Sequence, residues 1–230
     1  MRDLAATKES ILRVAEALFA ERGYDGASMQ EIASAAGVSR GMPGYAFGSK
    51  RELYEAVLRR ALAEPRALAD QLVAALAGED PERALRAAVE GYIDFLAQHP
   101  TYVRLLGRAA LDGGGELGQA AADEAVDDAL GATGALLEAA GLRAVDARHL
   151  LVSAIALCFF PLAHNRTLLH PLGLDAEDPR FLAELKTHVV DLLLNAVRER
   201  AQRQAGGAAP AARGEPPTRS RPTTQRRSRS

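Results

Sequence analysis

The chain predicts an all-α protein of about nine helices, divided into a small N-terminal three-helix domain and a larger C-terminal helical bundle. Three observations carry that expectation. Apolar residues recur at the three-and-four spacing of amphipathic helices through most of the first 200 positions. Serine-glutamate pairs at Ser28/Glu31 and Ser49/Glu52 have the spacing of capping boxes, in which each side chain satisfies an orphan amide at a helix start. Glycines and prolines, among them Gly23, Gly37, Pro81, Pro100 and Gly141, fall at the ends of the periodic segments, where they punctuate helices.

The first helix follows from Ile11, Val14, Ala15, Leu18 and Phe19 and ends at Gly23. The second starts at the Ser28 cap and shows a small apolar face of Ile32, Ala33 and Ala36. Gly37 then supplies the positive φ of a sharp turn, Val38 plugs the corner, and Ser39 is expected to cap a third helix running to Phe47. Gly41, Pro43 and Gly44 make that third helix intrinsically poor, since glycine costs about 1 kcal/mol and an interior proline about 3 kcal/mol. A short, distorted helix held by Val38 and Phe47 is expected. The Ser49 cap opens a fourth helix whose apolar stripe is Leu53, Val57, Leu58, Ala61 and Leu62. Two short capped helices joined by a glycine turn are the grammar of a helix-turn-helix.

The body reads as five more helices. Leu85, Ala88, Val89, Tyr92, Phe95 and Leu96 form a stripe entered by Asp80 with Pro81 at the first helical position and closed near Pro100. A helix over about 101–111 runs into the glycines at 113–115, which read as a turn because no lysine or serine follows them as in a phosphate loop. An alanine-rich helix spans about 117–140. The last two helices cover about 146–169 and 179–203. Leu182, Leu185, Val189, Leu192, Leu193 and Ala196 give the last one an apolar face, while 150–160 is apolar nearly all round and predicts neighbours on every side. Pro161 should kink that helix or open its backbone ladder. A partner chain is a natural source of the missing surface, so the last two helices are expected to pack with their symmetry mates in a homodimer.

The segments AEALFAERGYDGASMQEIASAAGVS and FGSKRELYEAVL resemble the DNA-binding domain of the TetR family of transcriptional regulators, over roughly residues 7–62. Glycine and alanine depart from the usual pattern at Gly44 and Ala46, as does Met42. The resemblance implies a DNA-binding domain over 1–47 with its helix-turn-helix at about 28–47, a connecting helix over 48–65, a ligand-binding and dimerisation domain over 66–203, and a tail over 204–230. It implies that Ser28, Tyr45 and Lys50 hold phosphates, that Arg40 reads a base edge from the first turn of the recognition helix, and that Ser39, Gly41, Met42 and Pro43 share the same interface. It places Tyr92, Phe95, His99, Tyr102, Phe159 and His164 around an effector cavity. The partners implied are a double-stranded DNA operator, a small-molecule effector and a second copy of the chain, and the outcome implied is repression relieved by the effector. The alternative is a ligand sensor with a weakened DNA-binding head that acts through protein partners or as an activator.

Composition narrows the classes. The 230 residues carry a net charge of −2. From Ala201 onward seven arginines face one acid, Glu215, a balance of +6, which leaves −8 on residues 1–200. That basic tail is rich in Pro, Gly, Ser and Thr and has almost no large apolar residue, so it is expected to be disordered and suited to phosphates. The single cysteine, Cys158, fits a reducing compartment. The N-terminus has no apolar signal region, and the greasiest stretch, 150–163, is shorter than the ~20 residues of a membrane span, so a cytoplasmic protein without a membrane partner is expected. The five histidines show no pair at ligand spacing, and the serines lie in no nucleophile elbow, so no metal, no cofactor and no catalysis are expected. Asp123, Glu124, Asp127 and Asp128 read as a solvated acidic face.

Overall fold

A computed structural model describes residues 4–75, 80–111, 119–139 and 145–207. Among the described residues it holds helices α1 (Leu4–Gly26), α2 (Met29–Ala35), α3 (Met42–Phe47), α4 (Lys50–Ala75), α5 (Pro81–Gln98), α6 (Pro100–Ala109), α7 (Gln119–Ala139), α8 (Ala147–Ala163) and α9 (Pro179–Gly207), and no strand. Both capping boxes form. The Glu31 amide donates to Ser28 Oγ at 3.2 Å while the Ser28 amide donates to Glu31 at 3.0 Å. The Glu52 amide donates to Ser49 Oγ at 3.2 Å and the Ser49 amide to Glu52 at 2.7 Å. Gly37 has φ 66°, the left-handed conformation the turn requires.

Helices α1 to α4 form the head. Its centre is an aromatic triad in which Phe19 meets the Tyr54 ring edge-on at 4.9 Å, and Tyr24 meets Tyr54 at 5.1 Å. Ile11, Ala15, Ile32, Leu53 and Val57 close around it, all essentially inaccessible to solvent. The body is a bundle in which α5 touches α4, α7, α8 and α9. Its core is Leu85, Val89, Ile93, Leu96, Val189, Val190, Leu193 and Leu194.

Several boundaries differ from expectation. Helix α1 continues to Gly26 across a break at Gly23, whose φ is 75° and ψ 177°. Helix α4 runs to Ala75, ten residues past the expected end, with Pro65 inside it. Asp80 stands at the N-cap of α5 but makes no side-chain cap hydrogen bond. The eighth helix stops at Ala163, and a π turn (Asn165–Leu169) and a 3-10 turn (His170–Leu172) follow at an angle of 78°. The expected break at Pro161 is thus displaced three residues, to His164. The last helix reaches Gly207, beyond the expected 203; the glycines at 113–115 and the tail from 208 lie outside the described residues.

Helix α8 is expected to have neighbours on every side, part of them from a partner chain, and its own chain covers one side only: Leu150 and Cys158 are buried, while Val152 is 65% exposed, Phe160 51% and Ile155 38%. At 100° per residue, Ile155, Val152, Ala156 and Phe160 fall on one side of the helix and form an apolar face that the described residues leave open. On α9, Leu192 is also open, at 44%. Among the described residues no single helix is long and apolar enough to cross a membrane.

Candidate nucleic-acid interface and ligand-sensing body

The recognition segment is shorter than the sequence suggests. Helix α3 begins at Met42, three residues after Ser39, with Gly41 at its N-cap and no side-chain cap. The Met42 amide donates to the Ser39 carbonyl at 2.9 Å, so residues 39–42 form a turn that feeds the helix. Pro43 explains the late start. It is accepted at the first helical positions because its missing N–H is not needed there. Arg40 therefore projects from the turn before α3, not from its first turn.

Burial sorts the segment into two sets. Pro43 is fully buried, and Met42, Ala46 and Phe47 pack on the head core. Ser39, Arg40, Gly41, Gly44 and Tyr45 are exposed, with Tyr45 at 78%. Pro43 thus shapes the helix and offers no surface to a ligand, whereas Arg40 and Tyr45 are both open to solvent. Ser28 is exposed at the start of α2. The Lys50 ammonium lies 4.4 Å from the centroid of the Tyr24 ring, which holds the cation at the start of α4. Gly48, which sequence reasoning passed over, has φ 86°, and a Cβ there would strike the Glu52 carboxylate of the second capping box. A glycine directly before the Ser49 cap, four residues ahead of its partner Glu52, is the signal that could have found it.

The body brings four of the six expected cavity residues together. Phe95 stacks on His99 at 4.3 Å and on Tyr92 at 6.5 Å, and meets Tyr102 edge-on at 5.1 Å. The Tyr92 and Tyr102 hydroxyls share a hydrogen bond. Burial pushes the Tyr102 phenol up to about 12, and the Cys158 thiol beside the pair likewise to about 12. Both stay neutral, and the cluster is apolar with one buried polar pair. Phe159 packs at the edge of the core. His164 does not join them; it stacks at 4.0 Å on the half-exposed Phe160 at the outer face of α8, because the backbone bends away there.

Between head and body lies a junction built from charged groups. A cavity of about 160 Å³ is lined by Glu16 of α1, Arg60 and Glu64 of α4, and His99, Thr101 and Tyr102 at the α5–α6 corner. Arg60 pairs with Glu9 at 2.8 Å. The His99 Nδ1–H donates to the Phe95 carbonyl at 2.7 Å, which directs Nε2 toward Glu64 at 3.8 Å. A second tie, unforeseen in the sequence, runs from Arg108 of α6 to the Glu21 carbonyl at 2.9 Å, near the broken end of α1. Burial raises the Glu16 carboxyl above its ordinary value despite the pull of Arg60, and Glu64 and Glu9 add to the rise. The folded chain therefore keeps a proton that the unfolded chain releases, so stability falls as pH rises through that window and stays lower above it. Glu16→Gln should raise Tm at neutral pH, and the difference should vanish below the ordinary carboxylate range; thermal melts at pH 7.5 and pH 3 check this.

Comparison with known proteins agrees with the two-part architecture. Residues 11–57 match the bacterial regulatory proteins of the tetR family, and residues 81–193 match the tetracyclin repressor-like C-terminal domain. The HTH-type transcriptional repressor NicS of Pseudomonas putida is 28% identical over 198 residues, covering 84% of this chain and 92% of that protein. The HTH-type transcriptional activator FasR of Mycolicibacterium smegmatis is 39% identical over 101 residues, 42% of this chain and 43% of its own length. Among solved structures, the TetR family regulator PfmR of Thermus thermophilus superposes with a TM-score of 0.59 at 23% identity, over 80% of this chain and 97% of that one. FadR of Bacillus subtilis in complex with stearoyl-CoA gives 0.64 at 16% identity, over 80% and 96%.

Proposed function

The chain belongs to the TetR family of bacterial DNA-binding transcriptional regulators, and from that premise we propose that it is a repressor released from a near-palindromic operator by a small-molecule effector. The observation that carries the DNA-binding half is the exposed set Ser39, Arg40, Gly41 and Tyr45 on a head whose helix starts are fixed by two capping boxes. Ser28, Tyr45 and Lys50 hold phosphates, helped by the free amides at each helix start. Arg40, freed from the helix by the 39–42 turn, reaches a guanine edge in the major groove, and Met42 offers its exposed part to a thymine methyl. Pro43 acts by shaping α3.

The open apolar face of α8, with Leu192 of α9, is the dimer interface in this reading. Two heads tied together reach successive major grooves about 34–36 Å apart. The effector acts through the ring cluster and the junction that adjoins it, since Tyr102 and His99 belong to both. A ligand favouring the arrangement with misaligned heads lowers operator affinity by the same factor that DNA lowers ligand affinity. Repression follows the NicS likeness, which spans most of the chain, and a ligand held by FadR supports a ligand-sensing body.

Arg40→Ala tests the reading role. It should weaken operator binding by about 5- to 150-fold, the worth of one bidentate base contact, and relax preference at one base-pair position per half-site. Competition binding against single-position operator variants checks this. A uniform loss over all sequences would place Arg40 on phosphate instead.

A further inference from the structure

At the far end of the body from the head, a second cavity of about 230 Å³ opens between the first turn of α5, the C-terminal part of α7, the start of α8 and the later half of α9. It is separate from the ring cluster, since Leu85 in its wall lies ten residues, about 15 Å, from Phe95 along α5. Its walls are Leu85, Leu136, Leu137, Leu150, Leu194 and Val197, five of them buried in the core. A smaller cavity of 150 Å³ with such walls stays dry and takes up benzene, so this one has room for an alkyl chain of about six to eight carbons.

The mouth decides what the other end of such a ligand must be. Arg198 is the cation there, and it is already committed: its Nε donates to Glu82 at 2.6 Å and its Nη2 donates to the other oxygen of the same carboxylate. Asp80 and Asp191 also lie within electrostatic reach of Arg198. The charged groups lining the mouth are Asp80, Glu82 and Arg198; the guanidinium is paired with Glu82, on which Arg86 also acts, so Asp80 carries the excess negative charge of the lining. An incoming carboxylate would meet that excess and would have to displace Glu82 from a two-point pair. An incoming ammonium meets Asp80, the acid of the mouth that the Arg198 guanidinium does not pair with, while its chain enters the leucine-lined walls.

We propose that this distal cavity is a binding site for a medium-chain aliphatic ammonium ion, with Asp80 and the Glu82–Arg198 pair at its mouth and Leu136, Leu150 and Leu194 around its chain. The inference goes beyond the regulator reading, whose effector site is the ring cluster, and its test needs no DNA, so failure of one is distinguishable from failure of the other.

The probes are octylammonium, octanol and octanoate, titrated calorimetrically into the full-length protein at low salt. Octylammonium should bind saturably, at least 10-fold tighter than octanol, with no detectable octanoate binding. Asp80→Asn, at an exposed position outside the core, should weaken octylammonium several-fold and leave octanol unchanged. Leu194→Trp should fill the cavity and abolish both; if that variant fails to fold, the Asp80→Asn comparison decides alone. Octanoate binding as tightly as octylammonium, no saturable binding of octylammonium, or octylammonium affinity indifferent to Asp80→Asn would each overturn the proposal.

Discussion

Replacing Val152 and Ile155 together by glutamate should convert the protein from a dimer to a monomer and weaken operator binding by at least 100-fold. Both side chains are exposed in the single chain, so the protomer keeps its core and its helix content. In a dimer built on this face, the double variant buries four carboxylates around a two-fold axis. Burying a charge without a partner costs several kcal/mol, and like charges meeting at the axis add to that. The loss of DNA affinity follows from geometry: once the heads are no longer linked, the second half-site is bound from bulk solution instead of at a high effective concentration, a difference of about 10²- to 10⁴-fold. Light scattering coupled to size exclusion reads the mass, and fluorescence anisotropy reads the affinity. A variant that stays dimeric would move the interface off α8. One that becomes monomeric yet binds DNA as before would remove dimerisation from the mechanism.

The second large effect is expected in the head. Phe19 is fully buried and forms the centre of the triad with Tyr24 and Tyr54. Phe19→Ala removes its transfer free energy and leaves a cavity between α1 and α4, at a cost of about 3–5 kcal/mol. That is a large part of the roughly 5–15 kcal/mol that stabilises a typical domain. Tyr24 also holds Lys50 over its ring, so loosening the triad frees the cation at the start of α4. Denaturant unfolding should show the midpoint shifted strongly downward, and DNA binding should fall with it, while Phe19→Leu retains most of both. A variant with wild-type stability would mean that the triad is dispensable.

The head was largely legible because its determinants are local. Two serine-glutamate pairs set two helix starts through hydrogen bonds spanning three residues, and Gly37 set the turn through its own φ. Ser39 misled because it looked like a cap; Pro43 decided the matter four residues on, and with it the placement of Arg40. In the body, Tyr92, Phe95, His99 and Tyr102 were foreseeable as a cluster, since the steps between them are three, four and three. His164 escaped because the bend falls after Pro161, where spacing no longer predicts direction. The ties across the junction, Arg108 to Glu21 and His99 toward Glu64, join residues far apart in sequence, and nothing local announces them. The α8 face was legible as apolar on every side. That a large part of it stands open in the single chain required the packing of α5, α7 and α9 to be known.

Anisotropy of the purified protein with duplex DNA from the region around its own gene tests the central claim most directly. The account predicts saturable binding by two protomers per duplex to one near-palindromic site, weakening steeply with salt and lost when that site is scrambled. Equal affinity for the scrambled duplex, or no binding at physiological salt, would contradict it.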